Sequence, residues 1–163
     1  MSQLLESIEV CDNTLPAEPA ILESAAIRAD GRRILNALTL PEYIDVWMYM
    51  PDTVEFLCTS EPASSRNIRF DLYSSRGQLG TIHARRLAST PDHVMYIWKK
   101  TQHGITSETV LDIRLKFSEA RCTLELRHIG FSSTPDYQWH AAMWKQSLAN
   151  LSSLMERVGK KYR

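Results

Sequence analysis

The sequence predicts an α+β fold, a curved antiparallel sheet of about seven strands around a long C-terminal helix, with two short helices after the first strand. Three observations carry this. Thr134 to Arg163 places apolar residues at helical spacing. Val54 to Ile129 alternates apolar and polar residues with the period of a half-buried strand. The alternating runs are joined mainly by short turns, which makes sequential strands antiparallel neighbours.

Taken in order, residues 1-19 read as an N-terminal arm. Leu4, Leu5, Ile8 and Val10 suit a helical turn, but Asn13, Pro16 and Pro19 interrupt it. Residues 20-163 read as one domain, the default for a chain of 163 residues. Ala20 to Ala29 predicts the first strand, stopping at Asp30-Gly31. Asp30 then caps a helix from Arg32 to Thr39 that turns Ile34, Leu35 and Leu38 inward. Pro41-Glu42 opens a second helix in which Ile44, Trp47 and Met48 share a face, and Pro51-Asp52 ends it.

From Val54 the alternation begins. Val54, Phe56 and Cys58 point one way, and Glu55, Leu57 and Thr59 the other, before a loop from Ser60 to Ser65. Ile68, Phe70 and Leu72 form the apolar set of the next strand, Leu79 to Leu87 is a third run, and Val94, Tyr96 and Trp98 mark a fourth. Thr101 to Ser107 is a polar loop with Gly104 at its tip. Leu111, Ile113, Leu115 and Phe117 alternate with Asp112, Arg114 and Lys116. A tight turn from Ser118 to Arg121 then leads to Leu124, Leu126 and His128.

In the final helix Thr134 serves as N-cap, Pro135 suits the first helical position, and Asp136 complements the positive end of the helix dipole. Gly159 offers a stop, with Lys160, Lys161 and Arg163 at the negative end. Advancing by about 100° per residue from Trp144, Tyr137, His140, Leu148, Leu151, Met155 and Val158 fall in a stripe roughly 80° wide. Gln146, Ala149, Asn150, Ser153, Glu156 and Arg157 take the opposite face. The helix is about 33 Å long, and a sheet curved around it buries both apolar faces.

Composition excludes several functions. Lys and Arg number 19 against 19 Asp and Glu, without a basic stripe, so neither nucleic acid nor an anionic membrane surface is an expected partner. No run approaches the ~18 apolar residues of a membrane span. Cys11, Cys58 and Cys122 match no metal-ligand spacing, and Met1 to Pro19 lacks a signal-peptide core, so reduced thiols and a cytoplasmic location are expected. The chain has no HxH, HExxH or CxxC spacing, no Gly-rich phosphate loop and no GxSxG turn, so no metal or cofactor is expected.

Three stretches carry a family resemblance. They are Ile27-Arg28-Ala29-Asp30 through Ile34, Ala37-Leu38-Thr39, Pro41-Glu42 and Trp47; then Arg86-Leu87 followed by Tyr96-Ile97-Trp98; then Leu124 to Phe131 with His140, Trp144, Leu148 and Leu151. In this order they resemble the START-like (SRPBCC, helix-grip) superfamily, and within it homologues of the activator of heat-shock protein 90 ATPase. Met143 stands where that family often has Gly, and Asp30 where it often has Pro or Ser. The resemblance implies the helix-grip fold and an internal cavity. It supplies no catalytic set to carry over.

The expected function is binding of a small hydrophobic ligand in a cavity between sheet and C-terminal helix, without catalysis. The cavity candidates are Trp47, Phe56, Phe70, Tyr96, Trp98, Ile113, Leu126, His128, His140, Trp144 and Leu148, and Tyr49 is expected to converge with these aromatics between sheet and helix. Tyr73, Tyr96, His128 and His140 are the polar groups placed to orient a ligand. His128 and His140 would also serve as an acid–base pair if they shared a cavity; the preferred reading is that both are hydrogen-bonded packing residues, because spacing fixes no carboxylate beside them.

Two alternatives follow from the resemblance, a co-chaperone-like protein acting on a heat-shock protein 90 ATPase and an enzyme of the polyketide cyclase or aromatase kind. Trp139 falls opposite the helix seam, where the N-terminal arm or a protein contact would cover it. Arg85-Arg86, Lys99-Lys100 and Lys160-Lys161 read as solvated ends. The chain is a monomer or a homodimer, with the sheet edge and the Trp139 face as candidate contacts.

Overall fold

Alternation from Glu55 to Ile129 builds a continuous meander in the computed structural model, which describes residues 19–62, 64–119 and 121–161. The N-terminal arm up to residue 18, with Cys11, lies outside the described residues. The elements run β1 (Ala20–Ile27), α1 (Gly31–Thr39), α2 (Pro41–Trp47), β2 (Glu55–Glu61), β3 (Ser64–Ser74), β4 (Gly77–Thr90), β5 (His93–Gln102), β6 (Ile105–Ser118), β7 (Arg121–Ile129) and α3 (Thr134–Lys161). All seven strands belong to one antiparallel sheet in the order β1-β7-β6-β5-β4-β3-β2. Register shifts in β2, β3 and β4 bend the sheet, as bulges do. The long helix packs on its inner face, an α+β helix-grip-like arrangement.

Cross-strand rows show how the sequence fills that face. One row runs Ile68, Ala84, Trp98, Thr109 and its neighbour runs Cys58, Phe70, Ile82, Lys100, Ser107. A third joins Tyr96, Leu111, His128 and Ile21. Trp47, Phe70, Trp98 and Trp144 are all at most 2% exposed, and burying a large side chain of this kind contributes roughly 1.5–3 kcal/mol. The helices α1 and α2 form as expected, with Asp30 Oδ1 accepting from the Arg33 N–H at 2.9 Å and Pro41 in the first turn of α2.

Several boundaries differ from expectation, each for a local reason. The α3 cap is Ser133, whose side-chain oxygen accepts from Asp136 N–H at 3.3 Å and whose carbonyl accepts from Tyr137 N–H; Thr134 is already helical. The helix continues through Gly159 to Lys161. The expected loops from Ser60 to Ser65 and Thr101 to Ser107 shrink to tight hairpins, because the strands continue to Glu61 and from Ser64, and to Gln102 and from Ile105. At the second hairpin His103 and Gly104 both take positive φ, the conformation a two-residue turn needs. The second helix ends at Trp47, before Pro51.

Val54 and Phe117 have the predicted phase but lie at strand ends, where they remain 69% and 48% exposed. Tyr49 also faces outward, at 44%. The buried face of α3 is wider than the expected stripe, since Met143 and Ser147 are fully covered as well. Among the described residues no helix is long and apolar enough to cross a membrane.

Candidate functional site

The residues expected to line a cavity do converge between sheet and helix. Phe70 and Trp98 lie with ring centroids 5.5 Å apart, Trp98 and Trp144 5.7 Å apart, and Phe56 reaches Phe70 at 6.2 Å. Trp47, Phe70, Tyr96, Trp98, Ile113 and Trp144 line the space left at the centre, together with Leu38, Ile44 and Met48. Leu126, His128, His140 and Leu148 are buried nearby without lining it, and Phe56 is half-buried at its margin. The central space measures about 20 Å³, room for about one water.

Polar atoms in this core are matched to partners. Trp47 Nε1–H donates to the Ala37 carbonyl at 2.8 Å, and the Tyr96 hydroxyl donates to the Leu38 carbonyl at 3.0 Å. Burial pushes the Tyr96 hydroxyl up to about 12 despite the Arg86 charge, so it stays a neutral donor. Tyr73, by contrast, is half-buried on the outer phase of β3.

His128 and His140 meet with ring centroids 5.0 Å apart, both fully buried. An indole nitrogen can only donate, which fixes both tautomers. Trp144 Nε1–H donates to His128 Nδ1 at 2.9 Å, leaving His128 Nε2–H to donate to Thr109 Oγ1 at 2.6 Å. The Thr109 hydroxyl then donates to the Trp98 carbonyl at 3.2 Å. Trp98 Nε1–H donates to His140 Nε2 at 3.0 Å, leaving His140 Nδ1–H for the Asp136 carbonyl at 2.8 Å. Each ring nitrogen is thus committed to a partner in the core, and burial favours the neutral form of His128. The hydrogen bonds of the pair all run to neighbours within the core.

A larger cleft, about 370 Å³, opens where the β5–β6 hairpin meets the first turn of α3. Its walls include Lys100, Ile105, Ser107, Asp136, Trp139 and Asp52. Lys100 continues the inward phase of Val94, Tyr96 and Trp98, so its side chain is only 7% exposed, whereas Lys99 points to solvent. This corrects the reading of Lys99-Lys100 as a solvated pair. The Lys100 ammonium lies 3.7 Å from the centroid of the Trp139 ring and 3.4 Å from Asp136 Oδ1. Burial lowers its pKa, while Asp136 and Asp52 oppose that shift.

Asp136 is the centre of this cluster. Ser107 Oγ donates to its Oδ2 at 3.0 Å, and His140 Nδ1 lies 3.3 Å from its Oδ1. Burial alone would raise the carboxyl, but His140, the Lys100 ammonium and the Ser107 hydroxyl together hold it at about 2. Trp139 is half-buried, with Nε1–H donating to the Pro51 carbonyl at 3.1 Å. Among the described residues Lys100 and Pro51 lie against it, and the N-terminal arm expected to cover it lies outside them.

Sequence spacing did not reveal this cleft, since Lys100 and Asp136 lie far apart in the chain. The available signal was parity, which places Lys100 in phase with Trp98. His83 pairs with Glu61 and His93 with Asp112, as separate pairs. Among the described residues no group of three or more His, Cys, Asp or Glu is placed to hold a metal ion. Cys58 and Cys122 are free and buried.

No protein-family model and no curated protein matches the chain. Solved structures are similar to it in fold. A protein from Mesorhizobium loti is 19% identical, with a TM-score of 0.64 over 85% of this chain and 97% of its own. One from Chromobacterium violaceum is 17% identical, with a TM-score of 0.66 over 84% of this chain and 97% of its own. A protein of the dynemicin biosynthetic locus is 14% identical, with a TM-score of 0.60 over 84% of this chain but 47% of its own. At these identities the likeness is one of sheet-plus-helix architecture.

Proposed function

We propose that this is a non-catalytic binding protein of the START-like kind that holds a small, mainly apolar ligand between the sheet and the N-terminal end of α3. The observation that carries the reading is the cleft of about 370 Å³ with Trp139 and the buried Lys100 in its wall. That volume lies in the range of small-molecule sites, and apolar walls with a few convergent polar groups are their usual chemistry. The central space of about 20 Å³ supports the same location, because opening a ligand-sized void of about 300 Å³ in a packed core costs roughly 7 kcal/mol at ~24 cal/mol per Å³. The resemblance to START-like proteins supports a binding role for the sheet–helix interface.

The fitting ligand has an aromatic or aliphatic body against Trp139 and Ile105 and one polar end. Lys100 supplies a donor for that end, and Asp136 and Asp52 supply acceptors. Native mass spectrometry of the full chain, then titration with anilinonaphthalene sulfonate, tests this. A copurified small molecule, or saturable one-to-one probe binding weakened in Ile105→Ser, supports the reading. A clean apo mass together with no saturable binding overturns it, and binding unaffected by Ile105→Ser removes the site from the cleft.

A further inference from the structure

β2 terminates the sheet, so among the described residues no strand lies beside its outer row of N–H and C=O groups. Open edges of this kind are templates for strand addition, and proteins usually blunt them with lysine or proline. β2 has neither, and its exposed residues include Leu57 at 53%. Val54 precedes it at 69% exposure, and α2, which packs against β2, exposes Val46 at 61% and Tyr43 at 46%.

The segment that forms α2 and β2 carries charge of one sign, while beside it on β3 Arg69 stands opposite Thr59 and is paired with Asp71. From Ile34 to Ser65 the chain carries Glu42, Asp45, Asp52, Glu55 and Glu61 and no Lys, Arg or His. Glu61 is paired with His83, but Glu42, Asp45 and Glu55 enter no ion pair among the described residues. Glu42 and Asp45 also lie close enough to β2 that, after burial, their charge helps push the Cys58 thiol up to about 12.

This field selects the occupant. Two-fold pairing of β2 with β2 in a second copy sets these acids against themselves. The chain's own residues 1–18 carry Glu6, Glu9, Asp12 and Glu18 and no Lys or Arg, so they are repelled as well. We propose that the β2 edge and the exposed face of α2 form a docking site for an extended segment of a partner protein in which lysine or arginine alternates with apolar residues. Such a segment continues the sheet through main-chain hydrogen bonds, sets its apolar residues beside Leu57 on the outer face, and turns its basic residues on the other face toward Glu42 and Asp45 of α2.

The test uses the isotope-labelled full chain and a capped peptide of alternating lysine and valine, with a glutamate–valine peptide as control. Amide shifts should concentrate on residues 54–61, weaken with added salt and be absent with the control. The double substitution Glu42→Lys/Asp45→Lys, at exposed positions, should weaken binding by about tenfold or more. Leu57→Lys should weaken it too, with circular dichroism unchanged. Equal binding of both peptides, shifts at β1 instead, or no shifts at millimolar peptide overturns the proposal. So does a dimer of the free chain whose β2 amides are protected, since a second copy would then occupy the edge.

Discussion

Trp144 donates its indole N–H to His128 Nδ1 at 2.9 Å, and that contact bears on the charge state of a fully buried histidine. Protonating His128 means breaking this bond and placing a cation among Trp98, Phe131 and Trp144. Burial therefore lowers its pKa well below 6.5, the neighbouring His140 lowers it further, and Asp136 opposes only in part.

The sign of the resulting pH dependence is definite. The unfolded chain takes up the His128 proton first, so this contribution to stability is intact above about pH 6.5 and lost as the pH falls, with a limiting slope of about 1.4 kcal/mol per pH unit. Urea unfolding from neutral pH down to about pH 5 should show that slope. His128→Gln should be less stable at neutral pH but lack this limb. A wild-type profile flat over the same range would mean that His128 is not held neutral.

Asp136 acts in a separate, more acidic window. Its carboxyl is held at about 2 against an ordinary 3.8, so its contribution is present above about pH 4 and lost as the pH falls from there through about pH 2. Asp136→Asn should flatten this limb and leave the His128 limb in place. The two are separable in one series of denaturation curves.

The Lys100–Asp136 pair should respond asymmetrically. Lys100→Met keeps an apolar stem on Trp139 and leaves Asp136 with Ser107 and His140, so stability should change by less than about 1 kcal/mol. Asp136→Ala strands a buried ammonium and should cost about 3 kcal/mol. Equal losses in thermal or urea unfolding would count against this division of roles.

Gly80 tests the closeness of β4 and β5. A Cβ there would sit 2.5 Å from the Thr101 carbonyl oxygen, a backbone atom that cannot swing aside. Gly80→Ala should lower stability by about 2 kcal/mol, within the range for overpacking. A neutral result in a urea titration would show that the strands separate readily at this end.

The architecture was legible because alternation and helical spacing report burial directly. Ile68, Phe70, Leu111, Leu124 and Leu126 all face inward as their phase requires. Phase fails where cover ends: Val54 and Phe117 point correctly but lie at strand ends with little above them. The Lys100 site was obscured because a pair of lysines resembles a solvated end, although the inward parity of Trp98 extends to Lys100. The histidines were read as packing residues, and the structure adds their partners, Trp98, Trp144 and Thr109. The volume of the core was illegible, since the same aromatics line a hollow or fill it.

Pairing of β1 with β7 runs from Ala20 opposite Ile129 to Ile27 opposite Cys122. Each of β2 to β6 pairs with its immediate successor in the chain. During synthesis, β2 to β7 can therefore zip up one hairpin at a time, while β1, made before them, waits longest. Its apolar side, Ile21 and Ile27, has no site until β7 has formed and α3 has closed over it. Among the described strands the first in sequence is thus the last to be seated, and in the interval its apolar side lacks the cover that the finished fold provides.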